Sequence, residues 1–156
     1  MTDEKIRKLK AAALIATALA VPAEGLRQYA YYDPPGILTV CYGSTTDVQL
    51  HKKYSLEECK LRLDKEMLAA IETVDRCAPG LPENVLAAFG DAVYNLSPKI
   101  VCDQKHSTAA RLLAEHDLWG ACAQLLRWNK ANIGGVMVEL PGLTTRRQAE
   151  YELCIR

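Results

Sequence analysis

Residues 24–43 run Glu24-Gly25-Leu26-Arg27-Gln28-Tyr29-Ala30-Tyr31-Tyr32-Asp33-Pro34-Pro35-Gly36-Ile37-Leu38-Thr39-Val40-Cys41-Tyr42-Gly43. Four tyrosines surround a Pro34-Pro35-Gly36 turn signal, and β-branched and aromatic residues follow it. Two runs of that type on either side of a turn predict a small β hairpin, with Gly43 closing the second strand.

On both sides of this hairpin the chain reads as helix. Residues 3–22 are good helix formers, and Pro22 marks the expected end. Ser55-Leu56-Glu57-Glu58 is a capping box that opens a helix reaching about Cys77. Pro79-Gly80-Leu81-Pro82 breaks it. Glu83 to Leu96 is the next helix, mostly apolar and expected to be central, and Ser97-Pro98 stops it. Ser107 or Thr108 can cap a helix to His116, and Asp117 another to about Trp128. Asn129 to Leu143 reads as loop, and a last helix starts near Thr145. The layout predicts an α+β chain dominated by helix. No repeat, linker or low-complexity tract divides it, so 1–156 is expected to be one domain.

Composition narrows the function class. Lys+Arg and Asp+Glu both number 19, which gives no support to a nucleic-acid partner. The 6 cysteines, Cys41, Cys59, Cys77, Cys102, Cys122 and Cys154, form no zinc-ligand spacing. They leave buried thiols or disulfides, with at least one disulfide favoured and the pairing open. No metal or cofactor is expected. Lys5, Arg7, Lys8 and Lys10 precede an uncharged run from Ala11 to Ala23. That pattern resembles an export signal, or else the first helix of the folded domain. His51, His106 and His116 lie in no catalytic setting and read as surface or capping residues. Trp119 and Trp128 read as core anchors.

Singly, the acids of residues 24–43 are unremarkable: a Glu after a helix and an Asp before Pro are ordinary end and turn residues. Together, Glu24, Asp33 and Thr39 stand with eight and five residues between them. This spacing resembles that of the T-even phage lysozyme family of glycoside hydrolases. Further stretches resemble its endolysins: Ala88-Phe89 through Tyr94-Asn95, Leu126-Arg127-Trp128, Pro141-Gly142-Leu143, Arg146-Arg147, Glu150 and Cys154. Two positions depart from the family pattern: Ser44, where His is common, and Ser97, where Gly is common.

The resemblance implies a lysozyme-like fold, with a hairpin lobe and a helical lobe around a cleft. It implies hydrolysis of the β-1,4 bond between N-acetylmuramic acid and N-acetylglucosamine in peptidoglycan, by a monomer, for lysis of a bacterial host. Such cleavage needs a proton for the leaving oxygen and a nucleophile for the anomeric carbon. Glu24 beside apolar neighbours is the expected acid, Asp33 the expected partner that activates water, and Thr39 the residue that orients it. The implied outcome is inversion. Tyr94 and Asn95 are candidate sugar contacts. Arg146 and Arg147 read as structural cations paired with acids. A lytic transglycosylase, or a non-catalytic wall-binding module, are the alternatives. For location, the Ala11–Ala23 run suggests a signal anchor that tethers the chain transiently to the inner membrane before release to the host periplasm. The alternative is a cytoplasmic enzyme freed by a holin.

Overall fold

A computed structural model describes residues 1–156. Helix α1 spans Asp3–Glu24, with Thr2 accepting from the Lys5 N–H as its cap. Pro22 lies inside the last turn and does not end the helix, which runs two residues past the expected boundary. Gly25 closes it at φ 68°, its N–H bonded to Val21 O. The buried stripe of α1 is Leu9, Ala12, Ala16 and Ala20. Alanines every four residues lie on one face and let the helix approach its neighbours closely.

Strands β1 (Arg27–Tyr32) and β2 (Leu38–Cys41) form the expected antiparallel hairpin. Tyr31 faces Thr39 and Tyr32 faces Leu38 across it. Helix α2 (Leu56–Cys77) opens with the capping box: Ser55 Oγ accepts from Glu58 N at 3.0 Å, and Glu58 Oε2 from Ser55 N at 2.8 Å. Helix α3 (Glu83–Asn95) is buried continuously from Val85 to Val93 and is the axis of the molecule. Helices α1, α2 and α7 (Pro141–Cys154) pack around it. Short helices α4 (Lys99–Cys102), α5 (Thr108–Ala114, capped by Ser107) and α6 (Leu118–Leu125, capped by Asp117) complete the helical part. The architecture is α+β with helix dominating, as the sequence predicts.

The main core joins Leu9, Met67, Ile71, Leu86, Phe89, Leu113 and Leu125, among others. A second small cluster of Val40, Cys41, Tyr54 and Cys59 sits under the hairpin. Three disulfides tie the parts: Cys41–Cys59 joins β2 to α2, Cys77–Cys102 joins α2 to α4, and Cys122–Cys154 joins α6 to α7.

Two expectations are corrected. Residues 129–143 are not simply loop: β3 (Lys130–Ile133) and β4 (Val136–Glu139) pair as a second hairpin. Gly134 and Gly135 have φ 59° and 89°, the two positive values that a tight two-residue hairpin turn demands. The tryptophans do not anchor the core: Trp119 is 70% exposed and Trp128 37%. The inner face of α6 is filled by Ala121, Cys122 and Leu125 instead.

Candidate active site

A cleft of about 490 Å³ lies between the first hairpin and the helical part. Glu24, at the end of α1, and Asp33, at the β1–β2 turn, both line it. Its apolar walls include Pro34, Pro35 and Ile37 on one side and Leu96, Leu140 and Leu143 on the other. Lys130 to Asn132 of β3 also reach it, so the second hairpin is part of the site.

Polar groups fix Glu24. Arg146 Nη1 donates to its Oε1 in a short ion pair. Asn95 Nδ2 donates to the same oxygen at 3.2 Å. Asn95 is itself oriented by Arg147, whose Nη2 donates to Asn95 Oδ1 at 2.9 Å. A guanidinium can only donate, so the amide must turn its N–H to Glu24. Both donors converge on Oε1, and Oε2 receives no protein donor. The expected apolar surroundings of Glu24 are therefore replaced by a guanidinium and an amide, and its side chain is 17% exposed.

Arg146 is held from behind. Its Nε and Nη2 donate to Asp91 Oδ2 and Oδ1 at 2.9 and 2.8 Å, a fork matched to a carboxylate. Burial opposes the Arg146 charge, yet Asp91 and Glu24 hold its pKa above the ordinary value. Burial likewise opposes the Asp91 charge, but the Arg146 hydrogen bonds outweigh it and hold that carboxyl below the usual range.

Asp33 shows the same division between its oxygens. Its Oδ1 accepts from Ile37 N at 2.7 Å, and its own N–H donates to Ile37 O at 3.0 Å. Oδ2 has no protein donor. Thr39 is buried and lies outside the cleft lining, and its hydroxyl donates to Ile37 O at 2.9 Å. Ile37 O thus ties Thr39 to the turn that presents Asp33. Tyr94 also lies outside the lining, and its hydroxyl donates to Tyr42 O at 2.6 Å. Asn95 does line the cleft. Gly43 (φ 79°) approaches Glu24 so closely that a Cβ there would sit 2.5 Å from its carboxyl carbon.

Two cleft residues escaped the sequence reading. Tyr31 lines the cleft under the Arg27 guanidinium, 4.5 Å from its ring centroid. Burial, then the charge of Glu24, raises its hydroxyl pKa. The sequence presents Arg146 only as a structural cation. It lies 122 residues from Glu24 in sequence, and no local pattern joins them. The departure at Ser44 is locally satisfied: its hydroxyl donates to Glu66 at 2.7 Å and accepts from Arg62 at 3.0 Å. Ser97 Oγ accepts from Lys99 N at the start of α4.

A family model matches the stretch of chain that holds this cleft. The model described as phage lysozyme aligns with residues 21–150, which contain every cleft residue named above. The chain belongs to the phage lysozyme family. It is accordingly a glycoside hydrolase that cleaves peptidoglycan. It is 36% identical over 134 residues to a SAR-endolysin of Bacteriophage PS119, covering 85% of this chain and 76% of that protein. To a SAR-endolysin of Pseudomonas phage phiKMV it is 35% identical over 153 residues, covering 96% and 92%. Among solved structures, the muramidase domain of SpmX from Asticaccaulis excentricus superposes with a TM-score of 0.78 at 24% identity, covering 90% of this chain and 95% of that one. That likeness supports the lysozyme-like fold.

Proposed function

We propose that the chain is a phage endolysin that cleaves the bond between N-acetylmuramic acid and N-acetylglucosamine with Glu24 as proton donor and Asp33 as the base for water. The observation that carries this reading is that Glu24 and Asp33 line one cleft and each keeps one carboxylate oxygen free of protein donors. Glu24 Oε1 is saturated by Arg146 and Asn95, so the transferable proton belongs on Oε2. From there it passes to the glycosidic oxygen as the bond breaks. Asp33 Oδ1 is tied to Ile37, so Oδ2 takes the proton of the attacking water. Thr39 serves that water indirectly, by bracing the turn that presents Asp33 through Ile37 O. Asn95 acts on the substrate side as well as on Glu24. Tyr94 supports the neck of the second strand through Tyr42.

A water between the two carboxyls attacks the face opposite the leaving group and inverts the anomeric centre. Proton NMR of the first-formed product tests this: an α-configured reducing end is expected, and a β-configured one contradicts it. Mass analysis of the muropeptides tests the reaction class. Free reducing ends support hydrolysis, and anhydro ends would place the chain among transglycosylases.

The same reading covers location. No helix is long and apolar enough to cross a membrane. Helix α1 has a weakly apolar run, Ala11–Ala23, after four basic residues, and its small-residue stripe docks on the core here. In this proposal the run first serves as a weak inner-membrane anchor and then leaves the bilayer to dock as α1. Glu24 ends that helix, so the acid reaches Arg146 and Asn95 only after docking. The three disulfides suit the oxidising periplasm. Fractionation of cells that express the full chain tests it. Membrane and periplasmic protein is expected, and wholly cytoplasmic protein with reduced thiols refutes it.

A further inference from the structure

Beneath the cleft floor lies a buried acid that the reaction does not use. Glu150 of α7 is fully buried. Its Oε1 accepts from Arg147 Nη2 at 2.6 Å and lies 4.0 Å from Arg146 Nε. Its Oε2 is buried and receives no hydrogen bond. An ionised carboxylate there would keep an unsatisfied charged oxygen out of water, a costly arrangement.

The neighbourhood can be inventoried by element. From its own helix, Arg146 and Arg147 face Glu150. From α3 comes Asp91, also fully buried and bonded to the same Arg146 Nε that Glu150 Oε1 approaches. From α1, Glu24 lies on the far side of Arg146. Helix α6 carries no charged residue. A protonated Glu150 Oε2 also becomes a donor, and the Asp91 carboxylate on the same Arg146 Nε can accept from it.

We infer that Glu150 carries a proton in the folded enzyme and donates it in a hydrogen bond to Asp91, making it a positioning residue for the catalytic acid. Two arms start from this shared proton. Asp91 holds Arg146, which holds Glu24 Oε1. Glu150 holds Arg147, which holds Asn95, which holds the same oxygen. Burial and then Asp91 push the Glu150 carboxyl well above the ordinary range, against the pull of Arg147. The protonation itself is independent of the catalytic reading. The positioning role rests on Glu24 being the acid.

The test compares Glu150→Gln with the parent. Glutamine copies the neutral acid: its carbonyl can accept from Arg147 and its amide can donate to Asp91. A group whose folded pKa is raised contributes stability below its unfolded value and loses it as pH rises toward the folded one. Glu150→Gln cannot make that loss. Its folding equilibrium should therefore gain on the parent with rising pH above about 4.5, by up to about tenfold per pH unit. If the variant instead loses ground as pH rises, Glu150 is ionised in the fold and the inference fails. Carboxyl-carbon NMR on the inactive Glu24→Gln background reads the proton without any activity. One glutamate, absent from the Glu150→Gln spectrum, should stay protonated at neutral pH, and full ionisation overturns the inference. For the positioning role, Glu150→Gln should keep near-parent kcat. Glu150→Ala should lose about a hundredfold through misplacement of Glu24, with KM little changed. Equal losses in both variants would refute positioning while leaving the Glu24 assignment to its own test.

Discussion

Replacing Gly43 by alanine separates two costs that usually come together. The first is backbone strain. Gly43 has φ 79°, and a residue with a Cβ pays about 1–2 kcal/mol there. The second is specific to the site. The new Cβ would lie 2.5 Å from Glu24 Cδ, 2.6 Å from Oε2 and 2.9 Å from Oε1. No carbon sits that close without displacement, and the yielding partner is the end of the Glu24 side chain. Moving it pulls Oε1 from Arg146 and Asn95 and Oε2 from the cleft. A displacement near 1 Å is enough to cost about a hundredfold in rate. Gly80→Ala is the matched control. Gly80 has φ 81°, and nothing lies within 4 Å of its would-be Cβ. Both variants should pay the backbone strain in thermal melts, and Gly43→Ala should melt lower because it also loosens the Glu24–Arg146 pair. Only Gly43→Ala should lose turbidity clearance of peptidoglycan. Parent-level clearance by a folded Gly43→Ala would refute the claim that the Glu24 position limits the rate.

Three other outcomes follow from the same contacts. Arg146→Gln should unfold about 3–5 kcal/mol more easily, because it leaves Asp91 charged and buried without its partner. Calorimetry at neutral pH measures this, and a neutral effect would show that Asp91 finds another counter-ion. Asp91 has a depressed carboxyl, so its stabilisation is present above the unfolded pKa and disappears as pH falls through the folded one. Asp91→Asn should flatten that acid limb, and an unchanged limb contradicts the assignment. Opening Cys122–Cys154, 32 residues apart, by a double Ser variant should cost about 3–4 kcal/mol in denaturant melts. A loss under about 1 kcal/mol would mean that α6 and α7 hold together without the link.

Local chemistry made much of the fold legible in the sequence. The Ser55 capping box, the Asp117 cap and the Pro34-Pro35-Gly36 turn each bind groups within four residues of one another, so their residues announce them. The second hairpin was also written locally. Gly134-Gly135 between Ile133 and Val136 is a two-residue turn signal, but Asn129-Lys130-Ala131-Asn132 before it and Pro141-Gly142 after it read as loop. Tryptophan burial was not legible, because it depends on which face of α6 meets the core. Here Ala121, Cys122 and Leu125 take that face.

The site divides in the same way. Glu24, Asp33 and Thr39 sit on one continuous stretch, and their spacing shows. The groups that hold Glu24 come from α3 and α7, 71 and 122 residues away. Arg146 could be read as a cation paired with acids, but not with which acids. Its partners depend on α7 crossing α3 beside the end of α1. The buried Asp91 was silent for the same reason, and Glu150 showed only as part of the family pattern, with no partner. Asp91 is one polar letter in an apolar helix, and Glu150 is one of several polar letters in α7.

The most direct measurement is peptidoglycan turnover by Glu24→Gln, with its fold verified by near-ultraviolet circular dichroism. Glutamine preserves the acceptor for Arg146 and Asn95 but has no acidic proton to give. The account expects a native spectrum and no release of reducing ends. A natively folded variant that still releases them at the parent rate would contradict the assignment of Glu24 as the proton donor.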